Sequence, residues 1–212
     1  MIQTIYLASR SPRRVELLKQ IGVECLIKPA DIDESVLAGE LPKDYVLRLA
    51  REKAISCQKI LGKECLNMPI LAADTTVALD DMILGKPIND ADAFSMLKSF
   101  SGRQHEVHTA IAVVFNQEIQ VSLSSTLVEM MALTDAMIHD YIAMGEHIDK
   151  AGSYGIQGLA GAWIKNIEGS YSGVMGLPVY ETAQILRNLS VKKLSIKKIK
   201  CEKVNNESRN FN

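Results

Sequence analysis

The sequence predicts an α/β fold, and three observations carry the prediction. Short apolar runs bounded by turn residues alternate along the chain with longer segments of helical period. One run, "ILAADTTVAL", is apolar on both faces, as a strand in the middle of a covered sheet must be. No internal repeat or long linker interrupts the alternation. Residues 1–190 therefore read as one domain, or two closely fused lobes, and 191–212 as something else.

The elements follow in order. "TIYLAS" is a buried first strand. "PRRVELLKQIG" is a helix with Pro12 in its first turn and Gly22 at its end. "VECLIKP" is a second strand, and residues 30–41 form an acidic loop. "PKDYVLRLAREKAISCQKILG" is a long amphipathic helix ended by Gly62. After the central run comes the helix "NDADAFSMLKSF", with Asp80 and Asp81 left to a turn. "HEVHTAIAVVF" and residues 119–133 read as paired strands. "TDAMIHDYIAMG" is a helix capped by Thr134, a glycine-rich loop runs to Gly161, "AWIKNIEG" is a strand, and "LPVYETAQILRNL" closes the domain.

Composition excludes several classes of function. The net charge of −1 combines a tail from Lys192 onward of +5 (seven basic, two acidic residues) with a mildly acidic body. An acidic body argues against stable nucleic-acid binding. The tail has no apolar period and reads as a solvated, disordered extension. No run approaches the roughly 18 apolar residues of a membrane span. Cys25, Cys57, Cys65 and Cys201 form no C-x-x-C pair, which fits buried thiols in a reducing cytoplasm.

Charges appear where the apolar pattern has no room for them. Arg13 and Arg14 stand at a helix start, the end that favours anions. Arg14 is in phase with Leu17, Leu18 and Ile21, the inward stripe. Helix-start N–H groups, the hydroxyls of Ser9 and Ser11, and the two arginines would together make an anion site. Lys53 falls inside the stripe Val46, Leu49, Ala50, Ala54, Cys57 and Ile60, whereas Arg48, Arg51, Glu52 and Lys59 lie opposite, as solvent-facing charges do. Asp74 interrupts the central strand, where burial and propensity both disfavour it. It could pair with Lys53, or hold a metal ion or a water. Asp31, Asp33 and Glu34 add an acidic cluster whose plainer reading is a solvated loop. Lys86 follows the central strand, and Gly152, Gly155, Gly158 and Gly161 could let backbone approach a ligand, although the plainer reading of a glycine-rich stretch is a turn. No P-loop and no Ser–His or Cys–His nucleophile is present. Cations and carboxylates in this combination suit a polyphosphate bound with a divalent ion.

The segments "LASRSPRRVELL", "LAREKA", "AADTTV", "ILGKP", "SGRQHEVHTA", "DKAGSYGIQG" and "IEGSYSGVMGLPVYET" closely resemble, in order, the Maf family of nucleoside triphosphate pyrophosphatases, over about residues 2–189. The resemblance implies an elongated mixed β-sheet flanked by helices, with a cleft between two lobes, and cleavage of a nucleotide between its α- and β-phosphates. By the same correspondence Asp74 activates water, and Arg13, Thr75 and Gln157 contribute to substrate choice. Ser9, Arg14, Glu34, Lys53 and Lys86 line the phosphate and metal site. The implied cofactor is a divalent cation (Mg, Mn or Co) held by Glu34 and Asp74, and the implied assembly is a homodimer. "SPRR", "ADTT" and "YGIQG" are similar to the subfamily acting on dTTP and UTP. A 7-methyl-GTP enzyme and a non-catalytic nucleotide sensor are the alternatives.

Overall fold

In the computed structural model, which describes residues 4–62 and 68–190, β1 (Thr4–Leu7), α1 (Pro12–Gln20) and β2 (Glu24–Ile27) form the first unit. The long helix α2 (Pro42–Leu61) leads to β3 (Ile70–Leu79) and the short β4 (Met82–Leu84). Then come α3 (Asp90–Phe100), β5 (Gln104–Phe115), β6 (Glu118–Met130) and α4 (Asp135–Ala143). β7 (Ile164–Glu168), α5 (Tyr171–Val174) and a helix over 179–190, here α6, complete the domain. The expected strand over 162–169 starts two residues late, because Leu159–Trp163 form a tight 3₁₀ turn. The tail, Cys65 and Cys201 lie outside the described residues.

The seven strands make one mixed sheet in the order β2-β1-β3-β5-β6-β7, with β4 alongside β3. β1 is parallel to β2 and β3, and every other pairing is antiparallel. β4 has only three residues, too few for an alternation to show in sequence. It forms because Asp80 and Asp81 adopt positive φ and close a two-residue hairpin with β3.

The core has three parts. On one face α2 lies over β3 and β5, and alanines meet alanines there: Ala50 and Ala54 on the helix, Ala72, Ala110 and Ala112 on the strands, all fully buried. Side chains this small let the helix approach the sheet closely. The opposite face carries two separate clusters. At one end α1 and α6 bury Leu17, Leu18, Leu186 and Leu189 against Leu71, Ile111 and Val113. At the other, α3 and α4 bury Leu97, Phe100, Ile138 and Tyr141 against Val77, Val107 and Val128. The long strands β3 and β5 run under both clusters, which makes one sheet carry two lobes with a cleft between them.

β3 is paired along its whole length on the β5 side. On its other side β1 covers only Ile70 and Leu71, and β4 only Val77 to Leu79. Residues 72–76 are thus without a strand neighbour on that side, and Asp74 is the middle one.

A buried histidine gives the second lobe a pH-dependent stability. His105 is 2% exposed, its Nε2 lies 2.7 Å from the Tyr154 hydroxyl, and its ring packs against Phe100. Burial holds its pKa down at about 4, against about 6.5 for an unfolded histidine. Between these values the unfolded chain binds the extra proton, so folding stability falls as pH drops from about 6.5 to about 4. The expected loss is about 3 kcal/mol at the lower end. Denaturant unfolding of the wild type and His105→Gln across this window checks it: the histidine-specific part of the slope disappears in the variant.

Candidate active site

A cleft of about 900 Å³ opens where β3 lacks its neighbour. It is lined by the start of α1, the acidic loop, Lys53, β3 from Asp74 to Val77, Lys86 and the glycine-rich loop with Gln157. Every residue predicted for the site, Ser9, Arg13, Arg14, Glu34, Lys53, Asp74, Thr75, Lys86 and Gln157, lies on its wall.

At its centre Lys53 Nζ sits 2.6 Å from Asp74 Oδ1 and 2.8 Å from Glu34 Oε1. Lys53 and Asp74 are 9% and 7% exposed. Burial pushes the Asp74 carboxyl above its ordinary pKa, while Lys53 and Arg14 pull it back and Glu34 adds to the rise. Of the two readings the residues left open, the ion pair is thus the arrangement of the ligand-free chain.

Arg14 is half-buried and more heavily bonded. Its Nε donates to Gly176 O at 2.8 Å, its Nη1 to Ser9 Oγ at 2.9 Å and its Nη2 to Thr75 Oγ1 at 3.3 Å. Three of its five N–H groups are used inside the protein, tying α1 to β3 and to the turn before α6. Burial lowers its pKa, with Arg13 adding to that and Asp74 and Glu34 opposing it. Ser9 Oγ also accepts the Ser11 N–H at 3.2 Å, so its acceptor sites are taken and its own hydrogen is left to donate. Ser11 caps α1 without a side-chain bond, and no acid stands in the first turn. The helix start therefore keeps its electropositive end for a ligand. The Thr75 hydroxyl shares a 2.9 Å hydrogen bond with Thr109, which also donates to Gly173 O, and so shapes the wall as part of a chain.

On the far wall Lys86 is exposed and 3.6 Å from Asp149. Lys150, a lining residue that the sequence reading did not single out, has its pKa lowered by burial and then by Arg13. Two of the glycines here fit the turn reading, while Gly155 lies on the cleft wall. An added Cβ at Gly161 would lie 2.6 Å from Ile156 O, and one at Gly152, with φ +68°, would lie 2.9 Å from Val77. They let the loop fold onto the protein rather than onto a phosphate.

The acidic loop is held by more than Glu34. The Glu34 side chain is 55% exposed, and such an ion pair contributes at most about 1 kcal/mol. Fixing each residue of a loop costs about 1–2 kcal/mol. Its order comes from Tyr45 and Arg48 on α2, which bind its main chain; the Arg10–Asp31 pair, 70% and 80% exposed, adds no more than the Glu34 pair does. Arg48 corrects the expectation that its face of α2 is merely solvated: it binds Glu40 at 2.6 Å and its side chain is only 20% exposed.

Gly152→Ala puts a side chain in left-handed backbone and against Val77. The expected cost is about 1–3 kcal/mol, or several degrees of melting temperature. Thermal unfolding checks it; an unchanged midpoint would mean that the loop relaxes freely.

The comparisons bear on this geometry. The family model described as Maf-like protein matches residues 4–189. A Methylobacillus flagellatus protein named dTTP/UTP pyrophosphatase is 62% identical over 187 residues, covering 88% of this chain and 93% of its own. A Bordetella parapertussis protein of the same name is 50% identical, with 88% and 93% covered. A Haemophilus ducreyi protein named nucleoside triphosphate pyrophosphatase is 44% identical, with 91% and 98% covered. With the family match running from the first described strand to the last described helix, this chain belongs to the Maf family.

Proposed function

We infer that the chain is a nucleoside triphosphate pyrophosphatase acting on dTTP and UTP. The observation that carries the reading is a buried carboxylate, Asp74, at the open point of the sheet, in a cleft whose walls carry Arg13, Arg14, Lys53, Lys86 and Lys150. The relatives' names support the substrates. A triphosphate brings about four negative charges, and such a wall of cations is what its binding requires.

In this reading Asp74 accepts a proton from a water that attacks the α-phosphorus. A new P–O bond forms, the α–β bridging bond breaks, and the electron pair leaves with pyrophosphate. The raised pKa of Asp74 makes it a stronger base than an exposed aspartate. Lys53 turns from the carboxylates to the phosphates, and Arg13 and Lys86 hold the leaving group's charge. Ser9 donates its free hydrogen. Gln157, exposed at the cleft, offers a donor and an acceptor to the imide edge of uracil or thymine.

The residues fit a divalent cation. Glu34 and Asp74 present hard oxygens that already converge on one cationic nitrogen. Among the described residues no three His, Cys, Asp or Glu side chains cluster as a metal cage. Two carboxylates plus substrate oxygens form the kind of site that magnesium takes. When bound, the ion would neutralise phosphate charge.

The test is a panel of UTP, dTTP, CTP, GTP and 7-methyl-GTP with magnesium, manganese or cobalt, products identified by phosphorus NMR. Pyrophosphate and monophosphate from UTP and dTTP are expected, and none in excess chelator. Orthophosphate as the sole product would overturn the reading. Asp74→Asn separates the base from the ion pair. The amide oxygen can still accept from Lys53, so the fold persists, while turnover falls about 10²–10⁴-fold. Near-native turnover with a lowered melting temperature would instead make Asp74 structural.

A further inference from the structure

Glu34 lies on a stretch of chain with no helix or strand, yet its carboxylate comes within 2.8 Å of Lys53, close to the 2.6 Å of the strand-borne Asp74. Its ion pair is exposed on one side and does not fix it. The main chain beneath it is fixed instead, and from one helix. Tyr45 Oη donates to Glu34 O at 2.9 Å. One turn further along α2, Arg48 Nη2 donates to Ser35 O at 3.0 Å. The same guanidinium holds both oxygens of Glu40, through Nε at 2.6 Å and Nη2 at 2.8 Å, and Glu40 Oε2 accepts the Leu37 N–H at 3.0 Å. Residues 34, 35 and 37 are thereby attached to α2, which also carries Lys53.

This pairing is well sheltered. The Glu40 side chain is 7% exposed and holds the Arg48 pKa up, while Arg48 holds the Glu40 carboxyl down. The Arg48 guanidinium lies 5.6 Å from the Tyr45 ring centre, which couples the two tethers to each other. Arg48 does not line the cleft; Tyr45 does, but its hydroxyl is committed to a main-chain oxygen.

We propose that Tyr45 and Arg48 are positioning residues, which clasp the main chain of residues 34–37 to α2 and so set Glu34 on Lys53, opposite Asp74, for the incoming triphosphate. The proposal rests on the reading of the cleft as a pyrophosphatase site. A rigid helix then fixes the distance between the loop carboxylate and the ammonium it must release, whatever the rest of the loop does.

The experiment is a double-mutant cycle on pyrophosphate release from UTP, with hydrogen exchange on the ligand-free chain beside it. Tyr45→Phe and Arg48→Gln are each expected to lower kcat/KM about 10- to 100-fold. Combined with Glu34→Gln, each is expected to stay within about two-fold of Glu34→Gln alone, because the carboxylate it positions is gone. Amides of residues 32–40 exchange faster in both variants, and those of the sheet do not. An equal loss in the presence and absence of Glu34, or unchanged exchange over 32–40, overturns the clasp. A wild type that releases no pyrophosphate removes the functional reading, while the exchange result still decides the clasp. Tyr45→Phe deletes one oxygen and keeps the ring, so it decides the matter even if Arg48→Gln strands Glu40 and fails to fold.

Discussion

A lysine ammonium and an aspartate carboxylate 2.6 Å apart, both nearly removed from water, set the terms for the rest of this structure. Desolvating two such charges costs several kcal/mol each, and their attraction offsets this only with good geometry. The geometry depends on α2 lying close enough to the sheet for Lys53 to reach β3. Alanine at positions 50, 54, 72, 110 and 112 permits that approach. Larger side chains there would lift the helix and leave both charges unpaired. The least specific-looking residues in the sequence therefore support its most specific contact.

The cations around the pair divide into two kinds. Arg14 spends three N–H groups on Ser9, Thr75 and Gly176, and so joins three separate stretches of chain into the cleft wall. Lys86 is exposed with Asp149 3.6 Å away, and Arg13, half-buried like Arg14, makes no such hydrogen bonds among the described residues. One set holds the shape, and the other is left to respond to a ligand. Such a division lets a site be preorganised without being neutralised in advance.

The sequence made some of this visible, for physical reasons. Lys53, Asp74 and Arg14 each break an apolar period, and a broken period is a signal whether or not the fold is known. The order of elements was legible on the same ground. Arg48 and Tyr45 were not, because their partner is a loop, and a helix face that packs on a loop has the polar look of a face that meets water. Glu34 stood out only through family resemblance; its own acidic neighbourhood looked solvated. The glycines of residues 152–161 left two readings open, since crowding by the protein and by a ligand leave the same mark in sequence. β4 escaped because three residues carry no period.

The interruption in the pairing of β3 also bears on solubility. An unpaired strand edge is a template on which another chain can add itself. Here the open stretch is only residues 72–76, closed off by β1 on one side and β4 on the other. An incoming strand would need its ends to pass through both neighbours, so the opening admits a small molecule and excludes a peptide. By placing this gap inside the sheet rather than at its border, the fold opens backbone and a carboxylate to a small molecule at a point where a second chain has no room to extend the sheet.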